Sequence, residues 1–252
     1  QYFVLRLSCW LRTNYFCKSN ENWRLLPIHP GSCPFSPLCM TTNIADLRKD
    51  YTLNGLDQTD VSPNPIVQFQ QWFAAALAAD VHEPNAMHLA TINPEGRPEG
   101  RIVLVKGVDA AGFSFYTNYN SQKGTSLGAN PMASLTFFWP ELERQVRVEG
   151  WVEKVSETES DTYFNSRPRG SQLGAWVSQQ SQVIAGRDVL TSQQEELENR
   201  FNGQPIPRPP HWGGFRVIPD KIEFWQGRPS RLHDRIRYRL EAGTWVIERV
   251  SP

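Results

Sequence analysis

The chain has 252 residues, of which 39% are hydrophobic and 12% are aromatic, a composition typical of a globular protein rather than a disordered one. Its length allows one domain or two small ones, and either could bury a sizeable core. The 26 Lys and Arg residues equal the 26 Asp and Glu residues in number, which excludes the broad positive surface of proteins that bind nucleic acid or anionic membranes.

Residues 1–39 differ from the rest of the chain. All four cysteines precede Met40, and a cysteine-free body fits a reducing compartment. Four basic residues against one acid resemble an organelle-targeting leader. The alternative, which we favour because such leaders are amphipathic and serine-rich, is a disordered extension or a misassigned start with Met40 as the initiator. No stretch reaches the roughly 18 apolar residues of a membrane span. We therefore expect one domain over residues 40–252 in a cytoplasmic protein that contacts no membrane.

Helix and strand patterns follow residue 64. Asn64 and Pro65 are typical of a helix start, and Ile66, Phe69, Phe73 and Leu77 at helical spacing predict an amphipathic helix over 65–80. Further helices are predicted from Ser121 to about 130, from Ser156 to about 165, near 171–179 and over 191–202. Short β-rich segments bounded by turn residues predict strands at 86–92, 101–108, 113–117, 133–139, 145–155, 213–218, 221–226, 235–240 and 244–250.

This order of elements indicates the fold class. Short strands with tight turns, and too few helices for parallel crossovers, predict a mainly β (α+β) fold, an antiparallel barrel with helices packed outside. No G-x-G-x-x-G sequence follows a strand, so a Rossmann dinucleotide site is not supported.

Two polar clusters precede residue 125. The strand Arg101–Lys106 carries a cation at each end, on opposite faces if the strand alternates regularly. These could also be ordinary strand-end charges. Tyr116 and Thr117, with Ser121, Gln122 and Lys123 at a helix start, offer N–H groups, hydroxyls and a lysine to a phosphate. Any capped helix would show the same pattern.

Two more clusters lie in the second half. Tyr163 and Arg167 are four residues apart, so they would share a helix face if the helix persists, and with Arg169 and Ser171 they suit a phosphate monoester. A solvated basic loop is the alternative. The segment 225–235 places two arginines, Arg231 and Arg235, around His233 and Asp234, where a histidine could exchange protons and an arginine could stabilise negative charge.

These segments carry a family resemblance. Residues 40–252 resemble the pyridoxine 5′-phosphate oxidase family in eight ordered segments: RIVLVK (101–106), FYTN (115–118), LERQV (142–146), YFNSRPRGSQ (163–172), GAWVS (174–178), WGGFRV (212–217), IEFWQG (222–227) and RLHDR (231–235). The resemblance implies a split β-barrel homodimer that binds FMN at the subunit interface. It also implies oxidation of pyridoxine or pyridoxamine 5′-phosphate to pyridoxal 5′-phosphate with O₂ as acceptor, which releases hydrogen peroxide and, from the amine, ammonia.

The resemblance also assigns residues to roles, and it includes no metal ion. Catalysis falls to Arg231 and His233. FMN binding falls to Arg101, Ile102, Val103, Leu104, Val105, Lys106, Tyr116, Thr117, Gln122, Lys123, Gln145, Gln180, Ser181, Trp225 and Arg235. Substrate binding falls to Arg48, Tyr51, Lys106, Tyr163, Arg167, Ser171, Arg231, Leu232 and His233. Gln122 stands where many relatives have arginine, which puts one contact to the FMN phosphate in doubt.

Two other functions fit parts of the pattern. Another flavin oxidoreductase could use the same barrel, although it would not need the segments 163–172 and 231–235. A non-catalytic carrier of FMN or pyridoxal phosphate would produce no peroxide with pyridoxamine phosphate. A nucleic-acid-binding module is disfavoured by the balanced charge.

Overall fold

The computed structural model describes residues 16–19, 22–25, 44–47 and 49–252. The chain divides into two compact units, residues 1–49 and 50–252. Within the first, β1 (Phe16–Ser19) and β2 (Asn22–Leu25) form an antiparallel hairpin, and Ile44–Asp46 forms a short 3-10 turn. Arg48, which we predicted to bind substrate, lies outside the described residues.

Residues 50–252 form one sheet and five flanking helices. The strands are β3 (Ala86–Ile92), β4 (Pro98–Leu104), β5 (Gly107–Asp109), β6 (Gly112–Asn118), β7 (Met132–Trp139), β8 (Arg144–Lys154), β9 (Trp212–Gln226), β10 (Asp234–Glu241) and β11 (Thr244–Arg249). The helices are α1 (Pro65–Ala78), α2 (Gln122–Ala129), α3 (Glu157–Ser166), α4 (Arg169–Val177) and α5 (Arg187–Phe201). None of the helices in the described ranges has the length and apolar character needed to cross a bilayer.

All strand pairs of this sheet are antiparallel. The main order is β11-β10-β9-β8-β7-β3-β4, and β6 pairs with both β5 and β9. Because β9 is 15 residues long, one end pairs with β6 and the other with β10, while β8 runs beside most of it. The result is an antiparallel half-barrel, which confirms the predicted fold class.

The strand β9 corrects one prediction. The sequence predicted two strands around Pro219, but Trp212–Gln226 is continuous. Pro219 lies opposite Gly150 beside a register shift between Glu149 and Gly150, where the regular ladder is interrupted and a proline is tolerated. A Cβ at Gly150 would lie 2.0 Å from the carbonyl oxygen of Ile218, so this close approach requires glycine.

The helix α1 covers the main core. The side chain of Asn64 caps it by accepting from the amides of Ile66 and Val67, as predicted. Phe69 is 1% exposed, and its ring centroid lies 4.9 Å from that of Phe113 and 4.9 Å from that of Phe137. Leu77 is 58% exposed, so its predicted place on the buried face was wrong. The buried stripe continues through Trp72 and Ala76 instead, since the sheet contacts that side of the helix.

The helices α3, α4 and α5 enclose a second, smaller core around Phe164, Leu173, Phe201 and Trp212. The hydroxyl of Ser156 accepts from the amide of Glu159, which confirms the predicted helix start. The helix α3 ends at Ser166, close to the predicted end near 165, and Arg167 is its C-cap. The condition for a shared helical face of Tyr163 and Arg167, a helix that continues through Arg167, is therefore not met.

Two further boundaries differ from prediction. The strand predicted over 101–108 ends at Leu104, and a separate strand begins at Gly107. Between them, the amide of Lys106 donates to the carbonyl of Ser114, a residue of β6. The helix predicted over 191–202 begins at Arg187.

Candidate functional site

A cavity of about 640 Å³ lies between β4, β6, α4 and the start of β9. It brings together residues from three of the four predicted polar clusters, although they are distant in sequence. The predicted site residues that line it are Arg101, Ile102, Val103, Leu104, Lys106, Tyr116, Thr117, Lys123, Tyr163, Arg167, Ser171 and Gln180.

Lys123 supplies positive charge at one end of this cavity. Its Nζ donates to the side-chain oxygens of Thr117 (3.3 Å), Gln180 (3.2 Å) and Ser121 (3.4 Å). Burial, followed by the charge of Arg101, lowers the pKa of Lys123. Among the described residues, no carboxylate lies within ion-pair distance of this ammonium group. A half-buried lysine with only neutral partners suits a bound anion.

Arg101 is held by neighbours on its own sheet. Its Nη1 donates to the hydroxyl of Thr91 at 2.7 Å, and its Nη2 donates to Glu99 at 3.1 Å. The Glu99 carboxylate also accepts from Gln122 at 2.6 Å and from Ser126 at 3.0 Å. The side chain of Gln122 therefore points towards Glu99, and with Ser181 it lines a neighbouring depression rather than the cavity.

A second cationic group lies at the α3–α4 end. Arg167 Nη1 is buried and has no hydrogen-bond partner among the described residues, although buried donors are almost always paired. Burial lowers the pKa of Arg167 and raises that of Tyr163. The Tyr163 ring stacks on Tyr116 with centroids 3.9 Å apart. An unpaired guanidinium N–H beside Tyr163 and Ser171 fits the oxygens of a phosphate.

Tyr116 closes the wall between the two cationic groups. Burial, together with the Glu159 carboxylate, raises the pKa of Tyr116 to about 12. The phenol is therefore neutral near pH 7, and it donates to Glu159 at 3.4 Å. This wall is aromatic and uncharged, which suits the flat face of a ring system.

The fourth predicted cluster lies elsewhere, at the other end of β9. Gln145, Trp225 and Arg235 are direct cross-strand neighbours on β8, β9 and β10. The His233 ring lies 4.6 Å from the Trp225 ring, and the Tyr51 ring lies 5.7 Å from Trp225. None of these residues lines the cavity. Trp225 lies near the opposite end of β9 from Trp212, which lines the cavity.

The backbone sets the protonation pattern of His233. The amide of Arg228 donates to His233 Nδ1 at 3.1 Å, so Nδ1 carries a lone pair and Nε2 carries the proton of the neutral ring. Burial, followed by the charge of Arg231, lowers the pKa of His233. A neutral imidazole with its proton on Nε2 can donate a hydrogen bond to a ligand.

The remaining members of this cluster differ in their freedom. All three nitrogens of the Arg235 guanidinium donate hydrogen bonds. Nε and Nη2 donate to the Glu223 carboxylate at 3.2 and 2.8 Å, and Nη1 donates to the carbonyl of Ser251 at 2.8 Å. Arg231 and Leu232 are exposed, and Arg231 has a φ of 62°.

Val105, which was predicted to bind FMN, is 6% exposed and contributes to the core rather than to the cavity wall.

The structure adds residues that the sequence did not single out. Trp212 lines the cavity and stacks near Tyr116 and Tyr163, with ring centroids 5.7 and 6.2 Å away. Asn118 and Ser178 also line it, and the Asn118 amide donates to the carbonyl of Ser178 at 3.3 Å. The glycine pair 213–214, which follows Trp212, is the signal in the sequence, because paired glycines indicate a close approach by another part of the chain. A Cβ on Gly214 would lie 2.8 Å from the Tyr116 ring.

Comparison with known proteins identifies the relatives of this chain. The family model described as "Pyridoxamine 5'-phosphate oxidase" matches residues 73–201. The model described as "Pyridoxine 5'-phosphate oxidase C-terminal dimerisation region" matches residues 212–252. A pyridoxine/pyridoxamine 5'-phosphate oxidase of Nostoc punctiforme is 60% identical over 214 residues, which are 84% of this chain and 100% of the relative. The enzyme of the same name from Cupriavidus metallidurans is 59% identical over 212 residues, with the same coverage.

Solved structures agree at the level of the fold. PhzG from Burkholderia lata, solved with tetrahydrophenazine-1-carboxylic acid, has a TM-score of 0.76 and 30% identity, and the match covers 81% of this chain and 100% of that one. A pyridoxamine 5'-phosphate oxidase-related, FMN-binding protein of Nostoc punctiforme has a TM-score of 0.60 at 18% identity, covering 76% and 100% of the two chains.

Proposed function

This chain belongs to the pyridoxine/pyridoxamine 5′-phosphate oxidase family, and we propose that it oxidises pyridoxine 5′-phosphate and pyridoxamine 5′-phosphate to pyridoxal 5′-phosphate. It is an FMN-dependent oxidoreductase of vitamin B6 metabolism, and O₂ is the electron acceptor. Hydrogen peroxide is released in both reactions, and ammonia is released from the amine.

The cavity fits FMN by the chemistry of its lining. The half-buried Lys123, with Thr117 and Gln180 around it, would hold the FMN phosphate, and Arg101 adds charge from β4. Ile102, Val103, Leu104 and Lys106, which line the cavity, would face the ring system. When bound, FMN supplies the two-electron chemistry that no side chain can supply, taking electrons from the substrate and passing them to O₂.

The observation that carries the proposal is the unpaired Nη1 of Arg167. Together with Tyr163, Ser171 and Lys106, it would bind the substrate phosphate through charge-assisted hydrogen bonds. Binding energy at the phosphate would hold the reacting C4′ carbon in place while the chemistry occurs at a distance from these residues.

The fourth cluster, around Trp225 and His233, would complete the site from a partner subunit. The protein is a homodimer, because residues 212–252 match the family's dimerisation region. We assign Gln145, Trp225 and Arg235 to FMN across the interface, and Tyr51, Leu232 and His233 to the substrate. Arg231 would assist the C4′ substituent, and the Nε2–H of His233 would orient the pyridine ring. The single chain supports this arrangement in that these residues do not line its own cavity.

We assign residues 40–252 to the oxidase domain and treat residues 1–39 as an extension outside it. We also place the protein in the cytoplasm, supported by the cysteine-free body.

The test is reconstitution followed by an oxidase assay. The purified protein is mixed with excess FMN and desalted, and flavin absorbance is compared with peroxide release on adding each phosphorylated vitamer. We expect a yellow protein that forms peroxide and pyridoxal 5′-phosphate, with unphosphorylated pyridoxine as a poor substrate. A protein that binds flavin but releases no peroxide would be a carrier. A protein that stays colourless and consumes no O₂ would end the proposal.

A further inference from the structure

Glu143 is a buried carboxylate that the proposed mechanism does not use. It ends the turn between β7 and β8, where its amide donates to the carbonyl of Pro140 at 3.3 Å, and it is 3% exposed. Its φ is 55°, a left-handed conformation that costs a residue other than glycine about 1 kcal/mol or more. A strained, buried, ionisable residue calls for a compensating role.

The carboxylate of Glu143 binds two successive backbone amides. Its Oε2 accepts from Thr52 N at 2.9 Å and from Leu53 N at 3.2 Å. Consecutive amides that converge on one oxygen form a small anion-binding concavity, and a carboxylate is its natural partner. These bonds join residues 90 and 91 positions apart in the chain, so they tie the segment before α1 to the β7–β8 turn.

The main chain of Glu143 is tied to the end of β9. Its carbonyl accepts from Gly227 N at 2.8 Å and from the side chain of Gln226 at 3.3 Å. One residue therefore joins the segment 51–53 to the part of β9 that carries Trp225. Glycine at 227 makes room for this arrangement, since a Cβ there would lie 2.7 Å from Tyr51 Cγ and 3.0 Å from Glu143 Cβ.

The segment held in this way carries Tyr51. The Tyr51 ring meets the Trp225 ring edge-on at 5.7 Å and the His233 ring at 5.9 Å. We infer that Glu143 is a positioning residue, whose carboxylate anchors residues 51–53 so that Tyr51 packs against Trp225 and His233 and completes the substrate-contacting cluster. This inference rests on the proposed function, since it takes Tyr51 and His233 to contact the substrate.

Local release of the segment is tested without any activity measurement. Chymotrypsin cleaves after tyrosine, and cleavage at Tyr51 requires the segment 51–53 to leave its site. We expect Glu143→Ala to raise the rate of this cleavage at least about five-fold, and Glu143→Gln, which keeps one acceptor oxygen, to be intermediate. Glu141→Ala is the matched control, because Glu141 is an exposed acid of the same turn. Equal rates in Glu143→Ala and Glu141→Ala would overturn the inference.

Hydrogen exchange covers the case in which the variant unfolds. Cleavage at buried Phe69 or Phe113 would reveal global unfolding of the variant. In that case hydrogen exchange in the unaltered protein tests the anchor instead. The amides of Thr52 and Leu53 should exchange much more slowly than that of the exposed Asn54. Fast exchange at all three positions would contradict the anchor.

Steady-state kinetics separate positioning from general stability. We expect Glu143→Ala to raise KM for pyridoxine 5′-phosphate about ten-fold while kcat changes less than about two-fold, because the segment contributes binding in ground and transition states alike. Adding Glu143→Ala to Tyr51→Ala should raise KM no further, since both act through one side chain. If the two substitutions together raise KM by the product of their separate effects, Glu143 does not act through Tyr51. If the unaltered protein lacks oxidase activity, the proposed function fails, while protease and exchange data still decide the anchor.

Discussion

The guanidinium carbon of Arg167 lies 4.5 Å from the centre of the Trp212 ring. This cation–π contact links the C-cap of α3 to the first residue of β9 and supports the guanidinium from one side. Arg167 lines the cavity, and its Nη1 is buried without a hydrogen-bond partner among the described residues.

Removing Arg167 should weaken binding of the substrate phosphate. We expect Arg167→Ala to raise KM for pyridoxine 5′-phosphate about ten-fold to a hundred-fold, because charge-assisted hydrogen bonds contribute roughly 1.5–3 kcal/mol. Arg167→Lys should recover only part of this loss, since lysine cannot bind a phosphate bidentately. Arg187→Ala, at the exposed start of α5, is the control. An unchanged KM in Arg167→Ala would make this cluster a solvated loop.

Lys123 should discriminate FMN from riboflavin. Lys123 is half-buried and its ammonium group has only neutral partners among the described residues, so it gains most when a phosphate lies beside it. We expect Lys123→Ala to raise the Kd for FMN about ten-fold or more while the Kd for riboflavin changes little. Quenching of flavin fluorescence during titration measures both constants. Equal losses for the two flavins would mean that Lys123 shapes the cavity rather than binding the phosphate.

Activity should decline on the acid side of the lowered pKa of His233. Burial and Arg231 lower this pKa below its ordinary value of 6.5, so the ring is neutral at pH 7. Protonation of Nδ1 would break the bond from the Arg228 amide and disturb the ring. We expect kcat/KM to be level around neutrality and to fall as pH drops through the lowered pKa.

The substrate phosphate itself titrates near pH 6, at about its second pKa, and needs a control. The profile of His233→Asn, measured at the same pH values, retains the phosphate contribution and lacks that of the imidazole. The unaltered protein should therefore show a steeper acid limb than the variant. Superimposable profiles would remove His233 from the pH dependence.

A methyl group at residue 227 should displace Tyr51. A Cβ on Gly227 would lie 2.7 and 2.8 Å from Tyr51 Cγ and Cβ, too close for any real contact. We expect Gly227→Ala to raise KM for the substrate while Lys123 and its neighbours still bind FMN. Gly128→Ala is the matched control, because nothing lies within 4 Å of a Cβ at that helical position. The prediction fails if Gly227→Ala and Gly128→Ala have the same KM.

Local signals predicted most of the elements. Asn64 caps α1, Ser121 caps α2 and Ser156 caps α3, since each hydroxyl or amide oxygen accepts an amide that the helix start leaves unpaired. The β-rich segment predicted at 145–155 corresponds to β8. The errors arose where contacts between residues distant in sequence determined the structure more than the local pattern did. Pro219 reads as a strand breaker, yet it lies within β9 opposite a bulge, and Leu77 has the right spacing but faces away from the sheet.

The sequence alone determined most of the charged and aromatic groups of the candidate site, because residue types and their local order suffice to recognise cationic and aromatic clusters and a family pattern. Only the tertiary structure decided how those groups are divided. It placed Arg101, Lys123 and Arg167 around one cavity and left Trp225 and His233 outside it. It also revealed the contact of the Arg167 guanidinium with the Trp212 ring and the hydrogen bond from the Thr52 amide to Glu143. The physical reason is that these contacts join residues 45 to more than 90 positions apart, and their formation depends on how the whole sheet curves and not on any local pattern.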